Sequence, residues 1–435
     1  MSDKKKLGFW MCLSLVIGNT IGMAIFMLPV AMAPLGPNAI WGWLIAVTGF
    51  LFIATVFAFM ARQMPKAHGP YGYIRENIGN LPAFIAMWCY WVSSWVTLPA
   101  LAIAVVAYVQ STFPHLPLPN SAISAILLIW LFVAINSRGA IAGGTAQVLT
   151  TFLKLVPLFA VIGVGLWVMV TQPELKAVSL APSPINFENL MAATALGVFA
   201  MLGIESACIP SENVDRPERT IPRATYAGTL IVAVIYLSVT AVMLYLIPYT
   251  QLAGSQAPFV DMLKGFLGDG VGRWMGVFVV ISGLGALNGW TLIVGQMTRT
   301  MALNDTMPRS LSALNSAGAP IKGLLLSGVL GSILAIMSYS DSLADGYIFL
   351  SLVVTAANLP VYILTAIALL RMPERSAIAN YTLYASIALL AVIFVIISFF
   401  GIGLKPLLWS LVLALLGLPV YWYVQNQARK QQPLA

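Results

Sequence analysis

Apolar runs of roughly 20 residues, the length that crosses about 30 Å of hydrocarbon as a helix, recur along the chain between short polar breaks. Backbone groups in lipid must be satisfied within their own segment, so each run is expected to be helical. Twelve spans are expected, at approximately 9–32, 38–61, 82–112, 122–137, 146–170, 189–210, 224–248, 272–302, 321–340, 346–370, 381–402 and 405–426. The pattern predicts an all-α integral membrane protein, with residues 1–435 forming a single polytopic transmembrane domain. Its longest polar connections, near 62–80, 171–188 and 249–271, are too short for a soluble domain, so function is expected within the bundle.

Composition agrees: 60% of residues are hydrophobic and only 8% charged, so water is not the main solvent. A net charge of +8 changes the picture only through its placement. Lys4, Lys5, Lys6, Arg62, Lys66, Arg75, Arg138, Arg216, Arg219, Arg223, Arg299, Arg309, Lys322, Arg371, Arg375, Arg429 and Lys430 share one side of the twelve-span pattern. Lys176, Lys264, Arg273 and Lys405 lie on the other side, and Lys154 is inside a span. Seventeen against four is a topology signal, not a nucleic-acid footprint. It places both termini in the cytoplasm and the chain in the cell inner membrane. The first apolar run follows three lysines but continues past Pro29 without a small-residue cleavage site, so it is expected to stay as a span. Cys12, Cys89 and Cys208 fall in spans at no metal-ligand spacing, and His68 and His115 fall in connections. No metal or cofactor is expected.

Two spans are interrupted. The first carries Gly18-Asn19-Thr20-Ile21-Gly22-Met23-Ala24 at its middle, and the sixth carries Gly197 and Gly203-Ile204-Glu205-Ser206. In a core of two five-span halves these are corresponding positions, which points to a transporter site made by broken helices. Glycines that merely let helices approach are the alternative. Glu205 is the one acidic residue well inside a span, so it is a candidate for proton binding or gating, against a structural hydrogen-bonded role. Lys154 either snorkels to the cytoplasmic edge or lies against carbonyls of the broken first helix, where related architectures hold a sodium ion. Trp290, mid-span in Gly289-Trp290-Thr291, is a candidate cation–π surface or a packed core tryptophan. Tyr90, Phe199 and Tyr362 are further mid-span aromatics. Walker loops, dinucleotide fingerprints and HExxH are absent, so the chain reads as a carrier and not an enzyme.

These residues resemble the amino acid/polyamine/organocation carriers, especially the bacterial arginine/agmatine, lysine/cadaverine and putrescine/ornithine exchangers. The resemblance rests on Gly18-Asn19, Gly22 and Phe26-Met27-Leu28-Pro29, on Gly203 to Ala207, on Asn213 to Ala224, and on Gly289-Trp290-Thr291-Leu292 with Gly295-Gln296. It implies the LeuT-like fold of two inverted five-helix repeats plus two helices, with helices 1 and 6 broken, often as a homodimer. The repeats would cover about 9–170 and 189–370, with helices 11 and 12 at about 381–426. It further implies that Ile21, Gly22, Met23 and Ala24 meet a substrate carboxylate, that Phe199, Ala200 and Leu202 surround its amine, and that Trp290 stacks on its side chain. Glu205, Tyr90 and Tyr362 would gate the paths. This chain departs from the arginine exchangers at Met23-Ala24, where they have Ser-Gly, at Phe199, where they have tryptophan, and at Leu98, where an asparagine meets the guanidinium. Lys154 matches other branches, including proton-coupled carriers. The expected activity is secondary transport by alternating access, exchanging a cationic amino acid or polyamine. Proton-coupled symport, neutral amino acid exchange and solute sensing without transport are the alternatives.

Overall fold

A computed structural model of the protein describes residues 8–65, 67, 69–139, 143–172, 181–207, 214–337, 343–373 and 379–431. Lys4 to Lys6, Lys66, His68, Lys176, Cys208, Asn213 and Arg375, all named above, lie outside the described residues. Among the described residues the architecture is helical and no β-strand occurs. The order is α1 (Phe9–Thr20), α2 (Ala24–Met32), α3 (Asn38–Gln63), α4 (Gly69–Asn77), α5 (Asn80–Thr112), α6 (Ser121–Asn136), α7 (Gly143–Thr171), α8 (Phe187–Met201) and α9 (Pro217–Leu246). It continues with α10 (Tyr249–Ala253), α11 (Pro258–Leu267), α12 (Asp269–Leu303), α13 (Ile321–Met337), α14 (Leu343–Leu370), α15 (Tyr381–Phe400), α16 (Leu404–Leu415) and α17 (Gly417–Gln431).

Among the described residues, nine helical stretches are each long and apolar enough to cross a membrane, and α1 with α2 makes a tenth, bent by 41° at its break. The apolar helices α6 and α13 have only 16 and 17 residues, reaching about 24 to 26 Å at the α-helical rise. Two of the long polar connections are partly helical. The 62–80 stretch contains α4, which buries Gly72, Tyr73 and Ile74 and exposes Arg75 and Glu76. The 249–271 stretch contains α10 and α11, and α11 buries Phe259, Val260, Met262 and Leu263. Both are amphipathic faces too short and polar to register as spans. Helix α9 begins seven residues before the expected 224. Pro217 opens it without sacrificing a hydrogen bond, because the N–H it lacks would be unpaired there, and the charged first turns escape a hydropathy reading.

Helix α5 is the axis of the bundle, buried from Ala83 to Tyr108 along most of its length and packed on α12 and α14. Helix α3 packs on α8 and α9, and α1 lies on α9. Lipid supplies no hydrophobic drive between helices, so close approach of small residues must hold them. Gly42 of α3 illustrates this. A Cβ there would sit 2.7 Å from the Ala193 carbonyl carbon and 2.8 Å from the Thr194 nitrogen on α8. The outer faces of α15 and α16, with Leu389, Leu390, Ile393, Leu408 and Leu411, are exposed and apolar, as a lipid boundary requires.

Gly42→Val places branched carbons against backbone that has no rotamer to yield, and is expected to destabilise the bundle by about 1–3 kcal/mol. Gly163→Ala, which adds a methyl into open space, is expected to be neutral. The comparison is read as the monodisperse fraction and thermal midpoint of detergent-solubilised protein; equal behaviour of the two variants would refute the close-packed α3–α8 contact.

Candidate functional site

The first break follows from where α1 stops. Ile21 N–H donates to Ile17 O at 2.8 Å and closes the last turn. Ile21 then turns extended (ψ 91°), and Gly22 N–H donates back to Thr20 O at 2.9 Å. Helix α2 restarts at Ala24 with Met23 as its N-cap, and no side chain caps it. Ile21, Met23, Ala24 and Ile25 are all buried. Helix ends leave carbonyls at one terminus and N–H groups at the other without helical partners. Here both ends face each other inside the protein.

Two side chains from other helices reach the carbonyl end of α1, and a third bonds a carbonyl inside α2. The Lys154 ammonium of α7 donates to Gly18 O at 2.8 Å, with the residue only 2% exposed. Tyr236 of α9 donates its hydroxyl to Thr20 O at 2.9 Å. Tyr108 of α5 donates to Phe26 O at 2.7 Å. Lys154 therefore does not snorkel. It lies against the carbonyl end of α1, far from either of the surface ion pairs seen among the described residues, Lys264–Asp269 and Arg309–Asp305.

The second break adjoins the first. Helix α8 ends at Met201, Leu202 is extended (ψ 143°), and Gly203 takes φ +105°, which suits glycine alone. A Cβ on Gly203 would lie 3.1 Å from Asn19 C and 3.2 Å from Thr20 N. The two interrupted segments thus touch backbone to backbone, and a 3-10 turn, Ile204–Ala207, follows. It carries Glu205, 1% exposed. Tyr90 of α5 donates to Glu205 Oε1 at 3.0 Å, while Tyr362 of α14 and Gly203 N–H donate to Oε2 at 2.9 and 3.2 Å. Three donors offset the desolvation of a buried carboxyl. Tyr362 is itself held edge-on by Phe50 and Phe57 of α3. Ser206 donates to Leu15 O at 3.1 Å and fastens the turn to α1.

The remaining sequence-predicted residues divide. Phe199 stands edge-on to Tyr347 of α14, with centroids 6.0 Å apart, and Ala200 and Leu202 are buried beside it. Met23 packs toward Gly283 of α12, together with Val105 of α5. Trp290 is half-buried and sits seven residues beyond Gly283. That is two helical turns, about 10 Å, on the same face of α12. Leu98 is fully buried, and its Cβ lies 3.9 Å from where a side chain on Gly331 of α13 would begin. Tyr108, Tyr236 and Tyr347 were not singled out from the sequence. The available signal was a phenol inside an apolar run, which needs a partner for its hydroxyl.

Chemically, the N-terminus of α2 offers N–H groups and the positive end of a helix dipole, which suit a carboxylate. The C-termini of α1 and α8 offer carbonyls, which suit an ammonium. Aromatic and apolar residues surround both. That geometry fits a small zwitterion or amine.

Comparison with known proteins agrees with it. The model of the amino acid permease family matches residues 7–424. The cadaverine/lysine antiporter of Escherichia coli strain K12 is 30% identical over 331 residues, 76% of this chain and 74% of that one. The putrescine transporter PotE of Haemophilus influenzae is 28% identical over 429 residues, covering 98% of each chain. The putative arginine/ornithine antiporter of Bacillus subtilis is 28% identical over 477 aligned positions, covering 99% of this chain and all of that one. With a family match that spans all but the two ends of the chain, and a fold of long apolar helices, this multi-pass membrane protein belongs to the amino acid permease family.

Proposed function

We propose that this protein is an antiporter that exchanges a cationic amino acid for a related amine or polyamine across the cell inner membrane. The observation that carries the reading is the meeting of two helix breaks at Gly203 and Asn19–Thr20, with Lys154 bonded to one and Glu205 housed in the other. Antiport of lysine and cadaverine, and of arginine and ornithine, is named for relatives aligned over three quarters or more of the chain. On this reading α1 with α2, α6 and α13 count as spans, which makes twelve with the nine long ones. The first inverted repeat then occupies about 9–170, the second about 189–370, and two helices at about 381–426 complete the bundle. Both termini lie in the cytoplasm, from the distribution of basic residues, and the exposed faces of α15 to α17 meet lipid or a second copy.

Substrate is held with its carboxylate toward Ile21, Gly22, Met23 and Ala24 and its ammonium toward Phe199, Ala200 and Leu202. Trp290 presents an indole face to the distal cation, and Leu98 lines the same end as an apolar wall. Glu205 with Tyr90 and Tyr362 forms a latch whose hydrogen bonds break when the second break moves. A proton-coupled symporter is the second reading. It is favoured by one observation, a cation on Gly18 O that can report its protonation to the first break.

The deciding experiment loads proteoliposomes with cadaverine, putrescine, ornithine or nothing, and follows entry of radiolabelled lysine, arginine and ornithine. Entry only into loaded vesicles is expected; entry into empty vesicles driven by an imposed proton gradient would replace exchange with symport. Lys154→Ala, which leaves Gly18 O without its donor, is expected to slow exchange about tenfold or more, as loss of a charge-assisted bond implies, while the protein remains folded by size exclusion. Wild-type flux in that variant would remove Lys154 from the mechanism. Trp290→Leu is expected to weaken binding of a cationic substrate by about 1–2 kcal/mol, and an unchanged affinity would leave Trp290 as core packing.

A further inference from the structure

Thr20 is the last residue of α1, and its side chain lacks the back-bond that several buried threonines of the bundle make. Thr97, Thr229, Thr291 and Thr365 each donate their hydroxyl to the carbonyl four residues earlier, at 2.6 to 2.8 Å. That back-bond is how a buried threonine in an apolar helix is satisfied. Thr20 is only 3% exposed, yet its Oγ1 has no hydrogen-bond partner among the described residues. Its carbonyl, by contrast, is already taken by Tyr236 and Gly22 N–H. Thr112 and Thr225 share the lack of a hydroxyl partner, but neither adjoins a helix break.

A second orphan lies four residues away. The nine-residue helix α2 starts at Ala24 with no side-chain cap, because the N-cap position holds Met23 in place of a hydroxyl-bearing residue. A buried helix N-terminus without a cap calls for an anion, and a buried threonine hydroxyl without an acceptor calls for one too. Both flank the same turn, Ile21 to Met23, and Gly203 lies so close that a Cβ on it would be 3.2 Å from Thr20 N.

We propose that the Thr20 hydroxyl donates to the substrate carboxylate at the uncapped start of α2, and so supplies the hydroxyl that Met23 does not. The inference rests on the antiporter reading above and adds a residue that sets specificity. A decarboxylated amine has no group to accept this bond, so Thr20 favours the amino acid over its amine and leaves the amine leg of the exchange untouched.

The test measures KM for external lysine and for external cadaverine in proteoliposomes loaded with the other, for wild-type protein, Thr20→Val, Thr20→Ala and Thr20→Ser. Thr20→Val is expected to raise the lysine KM about tenfold, the loss of one hydrogen bond to a charged group, and to leave the cadaverine KM within about twofold. Thr20→Ala, which removes the same hydroxyl with less bulk, is expected to match it, and Thr20→Ser to restore wild-type values. An equal rise in both KM values, or no rise in either, overturns the Thr20 assignment and leaves the carrier reading standing. Wild-type protein that exchanges none of lysine, arginine or ornithine for an amine overturns the antiporter reading itself, and with it this assignment. Size exclusion of each variant separates loss of fold from loss of contact.

Discussion

Every part of this molecule answers to one constraint: a peptide group inside a membrane must be hydrogen-bonded, because no water is there to take its place. Unbroken helices meet the constraint by themselves. The interrupted segments at Ile21–Met23 and Leu202–Gly203 do not, and each leaves carbonyls and N–H groups facing the interior. The rest of the bundle is arranged to supply partners for them. Lys154 serves Gly18 and Tyr236 serves Thr20, while Tyr108 and Ser206 add bonds to the Phe26 and Leu15 carbonyls inside the helices on either side of the first break. Such a break is held by side chains that can let go, which an unbroken helix cannot imitate.

The same constraint explains why the two ionisable groups deep in the bundle lie where they do. A charged side chain in hydrocarbon is tolerated when it is paired or bonded. Lys154 has a helix-terminal carbonyl, and Glu205 has two phenols and a backbone N–H from the turn that it belongs to. The groups that bond Glu205 sit on α5, α14 and the second break, so the carboxyl ties the bundle axis to the interrupted segment. Any movement of the Gly203 turn must stretch or replace those bonds. The consequence is a discrete choice between arrangements rather than a continuous deformation.

Much of this was legible in the chain itself. Span positions followed from apolar length, since nearly all the expected runs coincide with observed helices to within a few residues. The chain leaves the α-helical path at Ile21 and again at Leu202, within or beside the glycine-containing stretches Gly18 to Ala24 and Gly203 to Ser206, where glycines that only let helices approach would have left the helices unbroken. Glu205 and Lys154 stood out as charges where none should be. What escaped was of a different kind. Helices α4, α10 and α11 are short and amphipathic, so apolar length overlooks them. Tyr108 and Tyr236 belong to helices whose sequence is continuous, and nothing in their own neighbourhoods says that their hydroxyls bond carbonyls of α1 and α2 beside the break.

The departures from the resembled exchangers also take on a physical sense once the breaks are seen together. Replacing a serine by Met23 removes a hydroxyl, but Met23 then fills the space against Gly283 and Val105, and Gly283 is glycine where a side chain would collide with the Met23 sulfur. The bulk gained at the break is accommodated by the helix that also presents Trp290. A change at one contact point is therefore coupled to α12 through packing, without any residue between them needing charge. No side chain caps the start of α2, so the backbone N–H groups there are the ones that the packing leaves without a side-chain partner.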